Sequence, residues 1–237
     1  MRRRVGSSDF SLPNDYSMPE GYWSPPGNMQ GRKGDVDSVA LYQVIGKAIS
    51  AWGLAEERVA WLFWLLATCE GSRPVRTPIM MTWGAMESIT PRVELTRQIA
   101  KDFLQRYPNA FQMGKINNLL EHVKRASWIR NDIAHGIVMS YSSSGAAYAS
   151  ADESPEVTLD WLIKRPREPE MYCLKAPFFA TVKNDYFSEP DIVSGTSRNS
   201  YTFSDISTFI WKFLILGGAL LRTITEIGEQ LSSAPKP

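Results

Sequence analysis

Six consecutive residues near the middle of the chain concentrate reactive side chains: Arg130-Asn131-Asp132-Ile133-Ala134-His135. A cation, an amide, a carboxylate and an imidazole so close together suit attack on a phosphodiester. An imidazole, whose ordinary pKa is about 6.5, takes a proton from a ribose 2′-hydroxyl near neutral pH. General-base help of that kind contributes roughly 10²–10⁴-fold. A guanidinium grips a phosphate through two parallel hydrogen bonds and offsets the charge that grows on it in the transition state. Asn131 stands one helical turn before His135, where its amide can bond the imidazole and settle which nitrogen carries the proton. This chemistry needs no metal and no cofactor. Asp132 and His135 also have a spacing that two metal ligands could use, but two histidines and two cysteines in the whole chain (His122, His135, Cys69, Cys173) make a poor ligand supply.

The segment falls at the end of an amphipathic stretch that predicts a helix over residues 114–137. With Ile116 at zero and about 100° per residue, Leu119, Leu120, Val123, Ala126, Ala134 and Ile137 share one broad apolar stripe. Arg130 falls inside that stripe, an anomaly for a group that is always charged. Lys124, Trp128, Asn131 and His135 recur at spacings of four, three and four and form a second face beside it. His122 lies about 120° from Ile116 and reads as a surface residue. Gly136 should loosen or bend the helix at His135. Arg130 and His135 stand about 140° apart on an ideal helix, so one helix aims them poorly at a single phosphate. Two copies across a two-fold axis would supply both groups from either side.

The surrounding elements read as mainly helical. Residues 1–36 form an irregular arm with Pro13, Pro19, Pro25, Pro26 and several glycines, whose aromatics Phe10, Tyr16, Tyr22 and Trp23 could dock on the body. Val39, Tyr42, Val44, Ile45, Ala48 and Ile49 predict a first helix over 37–53, ended by Gly53, and residues 54–70 a second, closed by Gly71 and Pro74. A short helix is expected over 79–89. A third long one begins at Thr90-Pro91 and runs to 107, with proline in the first turn, where its missing donor does no harm. After the motif helix, residues 141–154 read as a loop or weak hairpin, and strands are expected over 157–164, 171–174 and 178–182. Thr202-Phe203-Ser204-Asp205 resembles a helix start, with Thr202 or Ser204 as cap, for a last helix reaching 231. The outline is an up-and-down helical bundle over 37–231 with a small β-rich insertion at 138–200, a tail at 232–237, and no internal repeat.

Composition narrows the function classes. The 237 residues carry 26 Lys plus Arg against 25 Asp plus Glu, a net charge of +1, so a polycation coating nucleic acid by bulk charge is excluded. Within 92–130 the balance differs: eight basic residues (Arg92, Arg97, Lys101, Arg106, Lys115, Lys124, Arg125, Arg130) stand against three acids, an excess that suits either an RNA-facing side or a solvated face. The basic start Met1-Arg2-Arg3-Arg4 lacks an apolar run behind it, which argues against a secretory leader. The apolar stretch 206–221 holds Lys212, Ser207 and Thr208 and reads better as a buried helix than as a membrane anchor. A cytoplasmic chain with reduced cysteines is expected.

An Arg followed by a polar residue, with four residues between Arg130 and His135, on a late helix of an all-helical domain, resembles the Arg-x(4–6)-His motif of the HEPN (higher eukaryotes and prokaryotes nucleotide-binding) superfamily. The motif covers six residues; the order of helices extends the likeness over about 37–231, leaving out the arm and the β-like stretch. The resemblance implies a metal-independent endoribonuclease. Two subunits would pair so that both copies of Arg130 and His135 face one cleft, with RNA cut to leave a 2′,3′-cyclic phosphate. It also implies a toxin or antiviral role and an inhibitory partner such as a minimal nucleotidyltransferase antitoxin. Some members only bind nucleotides or proteins, so a non-catalytic adaptor is the alternative. Structural roles compete residue by residue: Arg130 paired with Glu57 or Glu87, His135 bonded to a free carbonyl at a helix C-terminus, and Trp128 packed in the bundle or at a dimer seam rather than stacked on a base. Lys124 and Trp128 are the expected substrate contacts.

Overall fold

A computed structural model describes residues 14–27, 32–69, 77–141, 171–176 and 199–233. Among these the order is α1 (Ser38–Thr68), α2 (Pro78–Gly84), α3 (Ile89–Arg106), α4 (Met113–His135), β1 (Ile137–Tyr141), β2 (Met171–Lys175), β3 (Ser200–Tyr201) and α5 (Phe203–Ser233). The protein is mainly helical with a three-stranded antiparallel sheet in the order β1-β2-β3. The expected strands at 157–164 and 178–182, and nearly all of the expected loop at 141–154, lie outside the described residues. The described residues fall into two compact units: 14–24, 48–69, 77–130 and 208–233 in one, and 25–27, 32–47, 131–141, 171–176 and 199–207 in the other.

Where two helices were expected over 37–53 and 54–70, a single α1 runs through Gly53, which keeps an ordinary helical backbone beside open space. The Asp37 carboxylate starts it, accepting from the amides of Val39 and Ala40 at 2.9 and 3.0 Å. It stops at Cys69 rather than at Gly71. Cys69 takes a left-handed φ of 60° and closes the turn by donating to the Leu65 carbonyl at 2.9 Å. The inward face of α1 is also displaced from expectation. Leu41, Val44, Ala48, Ala55, Val59 and Leu62 are buried, while Val39, Tyr42 and Ile49 are exposed. The helix after Gly71 begins at Pro78 and ends at Gly84, five residues before the end expected for it.

In the first unit Phe63, Leu65, Leu66, Phe103, Ile116, Leu119, Leu120, Phe213, Leu216 and Leu220 are almost fully buried, each side chain contributing about 1.5–3 kcal/mol. Residues 14–24 of the arm are part of this unit. The Trp23 ring stacks on Phe213 and Phe209, and the Tyr16 hydroxyl donates to the Ala219 carbonyl at 3.5 Å. Helix α5 is long and apolar enough to cross a membrane by length and composition alone. Its Lys212 is half-buried, donates to the Tyr22 carbonyl and lies over the Tyr22 and Phe209 rings at 4.9 and 4.7 Å.

In the second unit the register pairs Ile137 with Lys175 and Tyr141 with Met171, and Leu174 with Tyr201. The arm contributes here too. Asp35 and Tyr172 exchange backbone hydrogen bonds at 2.9 and 2.7 Å, and Arg32 bridges the Ser200 carbonyl and the Asp205 carboxylate. Thr202 is the cap of α5, as one of the two expected: its amide and hydroxyl both donate to Asp205 at 2.8 Å.

Candidate functional site

Helix α4 positions every residue of the motif, and it ends at His135, two residues earlier than expected. Ile137 therefore belongs to β1 and is 67% exposed, and Ala134 is only half-buried, so neither extends the apolar stripe. Ile116, Leu119, Leu120, Val123 and Ala126 are buried as expected. The arc then widens by a second row, His122, Ala126, Ile129 and Ile133, spaced four, three and four, all buried. His122 is thus a core residue, contrary to its expected place on the surface.

The ring of His122 is fully buried, and its Nδ1 accepts the Trp23 indole N–H at 2.8 Å. Tyr22 meets it edge-on at 5.5 Å between ring centres. Burial pushes the imidazole pKa below its ordinary value, assisted by Arg125 and opposed by the carbonyls of Tyr16 and Ser17 and by Glu121. A neutral ring with its proton on Nε2 fits this arrangement, because Nδ1 must keep its lone pair for Trp23.

The motif residues separate by face. Trp128 is 47% exposed, Asn131 and His135 are exposed, and Lys124 is half-buried, so the second face that their spacing marked beside the core stripe is turned to solvent. Arg130 continues the row of Leu119, Val123 and Ala126 and is half-buried rather than sunk in the core. On an ideal helix the guanidinium and the imidazole leave the axis about 140° apart.

Asp132 differs from its neighbours in the motif. It is buried, and its Oδ2 accepts the Tyr201 hydroxyl at 2.7 Å and the Asn199 amide at 3.3 Å. Burial raises its pKa, partly opposed by those two donors. Burial and the nearby Asp132 likewise push the Tyr201 hydroxyl far above its ordinary value. Among the described residues no three His, Cys, Asp or Glu side chains gather where they could hold a metal ion.

The basic excess of 92–130 is partly spent in ion pairs. Arg92 pairs with Glu56 and lies over the Trp83 ring at 4.7 Å, Arg97 pairs with Glu94, and Arg125 pairs with Glu121 at 3.1 Å. Lys101 and Arg106 remain on the exposed side of α3.

Two features escaped the sequence: the His122–Trp23 bond and the Asp132–Tyr201–Asn199 group. The apolar spacing from His122 through Ile129 to Ile133 was a usable sign of the first. Nothing in the sequence marks Tyr201 or Asn199 as partners of a residue some seventy positions earlier. Compared with protein-family models, curated proteins and solved structures, the chain matches none.

Proposed function

We propose that the chain is a metal-independent endoribonuclease of HEPN type, working as a homodimer with a site composed from both copies. The observation that carries this reading is the row of Trp128, Asn131 and His135 exposed along the last turns of α4, with Arg130 half-buried on the adjoining row. His135 takes the proton of a ribose 2′-hydroxyl and the freed oxygen attacks the adjacent phosphorus. The bond from phosphorus to the 5′-oxygen breaks and that oxygen takes a proton from water, giving a 2′,3′-cyclic phosphate and a 5′-hydroxyl, while the protonated His135 returns its proton to solvent. Arg130 neutralises the charge on the phosphoryl oxygens during attack. Asn131 orients the imidazole, Lys124 meets the RNA backbone and Trp128 stacks on a base. The wide angle between Arg130 and His135 favours pairing of two chains, one giving the guanidinium and the other the imidazole. A toxin or antiviral effector of the cytoplasm, restrained by a nucleotidyltransferase-type partner, is the setting that accompanies this reading.

The test is cleavage of RNA by purified protein in EDTA. Activity persists without divalent metal and disappears in His135→Ala and Arg130→Ala that still fold and dimerise. Activity abolished by the chelator alone rejects the proposal. A second reading, a non-catalytic nucleotide- or protein-binding adaptor, draws on the large exposed area of Trp128 beside two polar groups, which suits docking as well as reaction. It predicts binding that weakens in Arg130→Ala and Trp128→Ala, with RNA left intact.

A further inference from the structure

Asp132 stands in the middle of the motif, yet it is only 7% exposed while Asn131 and His135 lie on the solvent side. Its carboxylate is held by Tyr201, a fully buried residue of β3, and by Asn199 just before that strand. Four residues on, Gly136 is packed so closely that a Cβ would lie 2.7 Å from the Asp132 carbonyl oxygen and 2.8 Å from the Leu174 side chain of β2. Ile133, between these points, is 1% exposed. The last turn of α4 is therefore fixed twice, by a directed hydrogen bond to β3 and by a close approach to β2.

A carboxylate is an expensive choice for so buried a position, since an aliphatic side chain would fill it at no desolvation cost. What the carboxylate adds is direction. Apolar packing tolerates a small rotation of the helix about its axis, whereas a 2.7 Å hydrogen bond to a rigid phenol does not. Rotation of the turn by about 20° would carry an imidazole sideways by more than about 1 Å, a misplacement able to cost of order 10²-fold in rate.

We propose that Asp132, held by Tyr201 and Asn199, is a positioning residue that sets the azimuth of the last turn of α4 and so the direction in which Asn131 and His135 meet RNA. This rests on the nuclease reading, and it accounts for the sheet that follows the motif, in which β3 holds the Asp132 side chain and β2 abuts Gly136.

The experiment compares Asp132→Ala, Asp132→Asn and Tyr201→Phe in the full chain, with a short single-stranded RNA as substrate. In Asp132→Ala and Tyr201→Phe, kcat falls about 10–100-fold while KM moves less than about threefold. Asp132→Asn keeps an acceptor for the phenol and regains most of the loss. NMR signals of the His135 ring and the Asn131 side-chain amide report the geometry without turnover. Both shift in Asp132→Ala and Tyr201→Phe and return toward their native positions in Asp132→Asn. Unmoved signals in a folded Asp132→Ala overturn the proposal, as does an Asp132→Asn as impaired as Asp132→Ala. Should Asp132→Ala fail to fold, Tyr201→Phe, which keeps the ring, decides by the same criteria. Wild-type protein that leaves RNA intact defeats the nuclease reading alone, and the NMR comparison then still decides whether Asp132 orients the turn.

Discussion

The chain's two histidines ride the same helix about three and a half turns apart, and α4 uses them in opposite ways. His122 is sealed in the core, a neutral acceptor for Trp23. His135 stands exposed on the terminal turn beside Asn131. The imidazole is the same; the row it occupies differs. His122 shares its row with Ala126, Ile129 and Ile133, and His135 shares its own with Trp128 and Asn131. Chemistry at a surface needs a group that solvent and substrate can reach, whereas a buried ring acts by fixing the chain packed against it.

The contrast between the two rings is most vulnerable at the exposed one. His135→Ala should lower RNA cleavage by about 10²–10⁴-fold with the thermal midpoint little changed, measured as initial rates beside a melting curve. Trp23→Ala should do the reverse, leaving kcat largely intact while destabilising the fold by about 3–5 kcal/mol in urea unfolding, because a buried ring stacked on Phe213 and Phe209 is lost. Next in size, Gly136→Ala should cost about 1–3 kcal/mol, since the new methyl meets a carbonyl oxygen and Leu174 with little room to shift.

A smaller effect probes the buried ring through pH. The folded state resists the proton that His122 accepts when unfolded, so the stability linked to this ring is whole above about pH 6.5 and declines as pH falls through that value. The slope is at most about 1.4 kcal/mol per pH unit, and His122→Gln, with a neutral acceptor for Trp23, should flatten it in unfolding curves taken from about pH 7 to 5. The smallest change is expected for Lys124→Ala, which weakens RNA binding uniformly and lowers the salt dependence by about one phosphate contact.

The helical class, a cap at Thr202 or Ser204, strand β2 and the common row of Lys124, Trp128, Asn131 and His135 were legible because each depends on neighbours within a few residues. The errors have a common physical origin. Gly53 read as a stop because glycine is a frequent helix terminator, but burial of Leu41, Val44, Ala48, Ala55 and Val59 along one continuous face outweighs its roughly 1 kcal/mol penalty. A stripe centred on Ile116 leaves Ile129 and Ile133 outside it and puts His122 on the surface, whereas all three are buried. The ties of Asp132 to Tyr201 and of His122 to Trp23 join residues 69 and 99 positions apart, beyond any local periodicity. Of the candidate residues, the shared face of Lys124, Trp128, Asn131 and His135 could be read from their spacing, but its exposure and the contacts that hold the last turn could not.

In the proposed nuclease Arg130 of one chain acts with His135 of another, and mixing two inactive proteins tests that pairing directly. Arg130→Ala and His135→Ala are each purified, combined under conditions that exchange subunits, and assayed on RNA in EDTA. A mixed dimer retains one intact guanidinium facing one intact imidazole, so a substantial fraction of the native rate should return. Mixed dimers that form and remain as inactive as either parent, beside an active wild-type control, would contradict it.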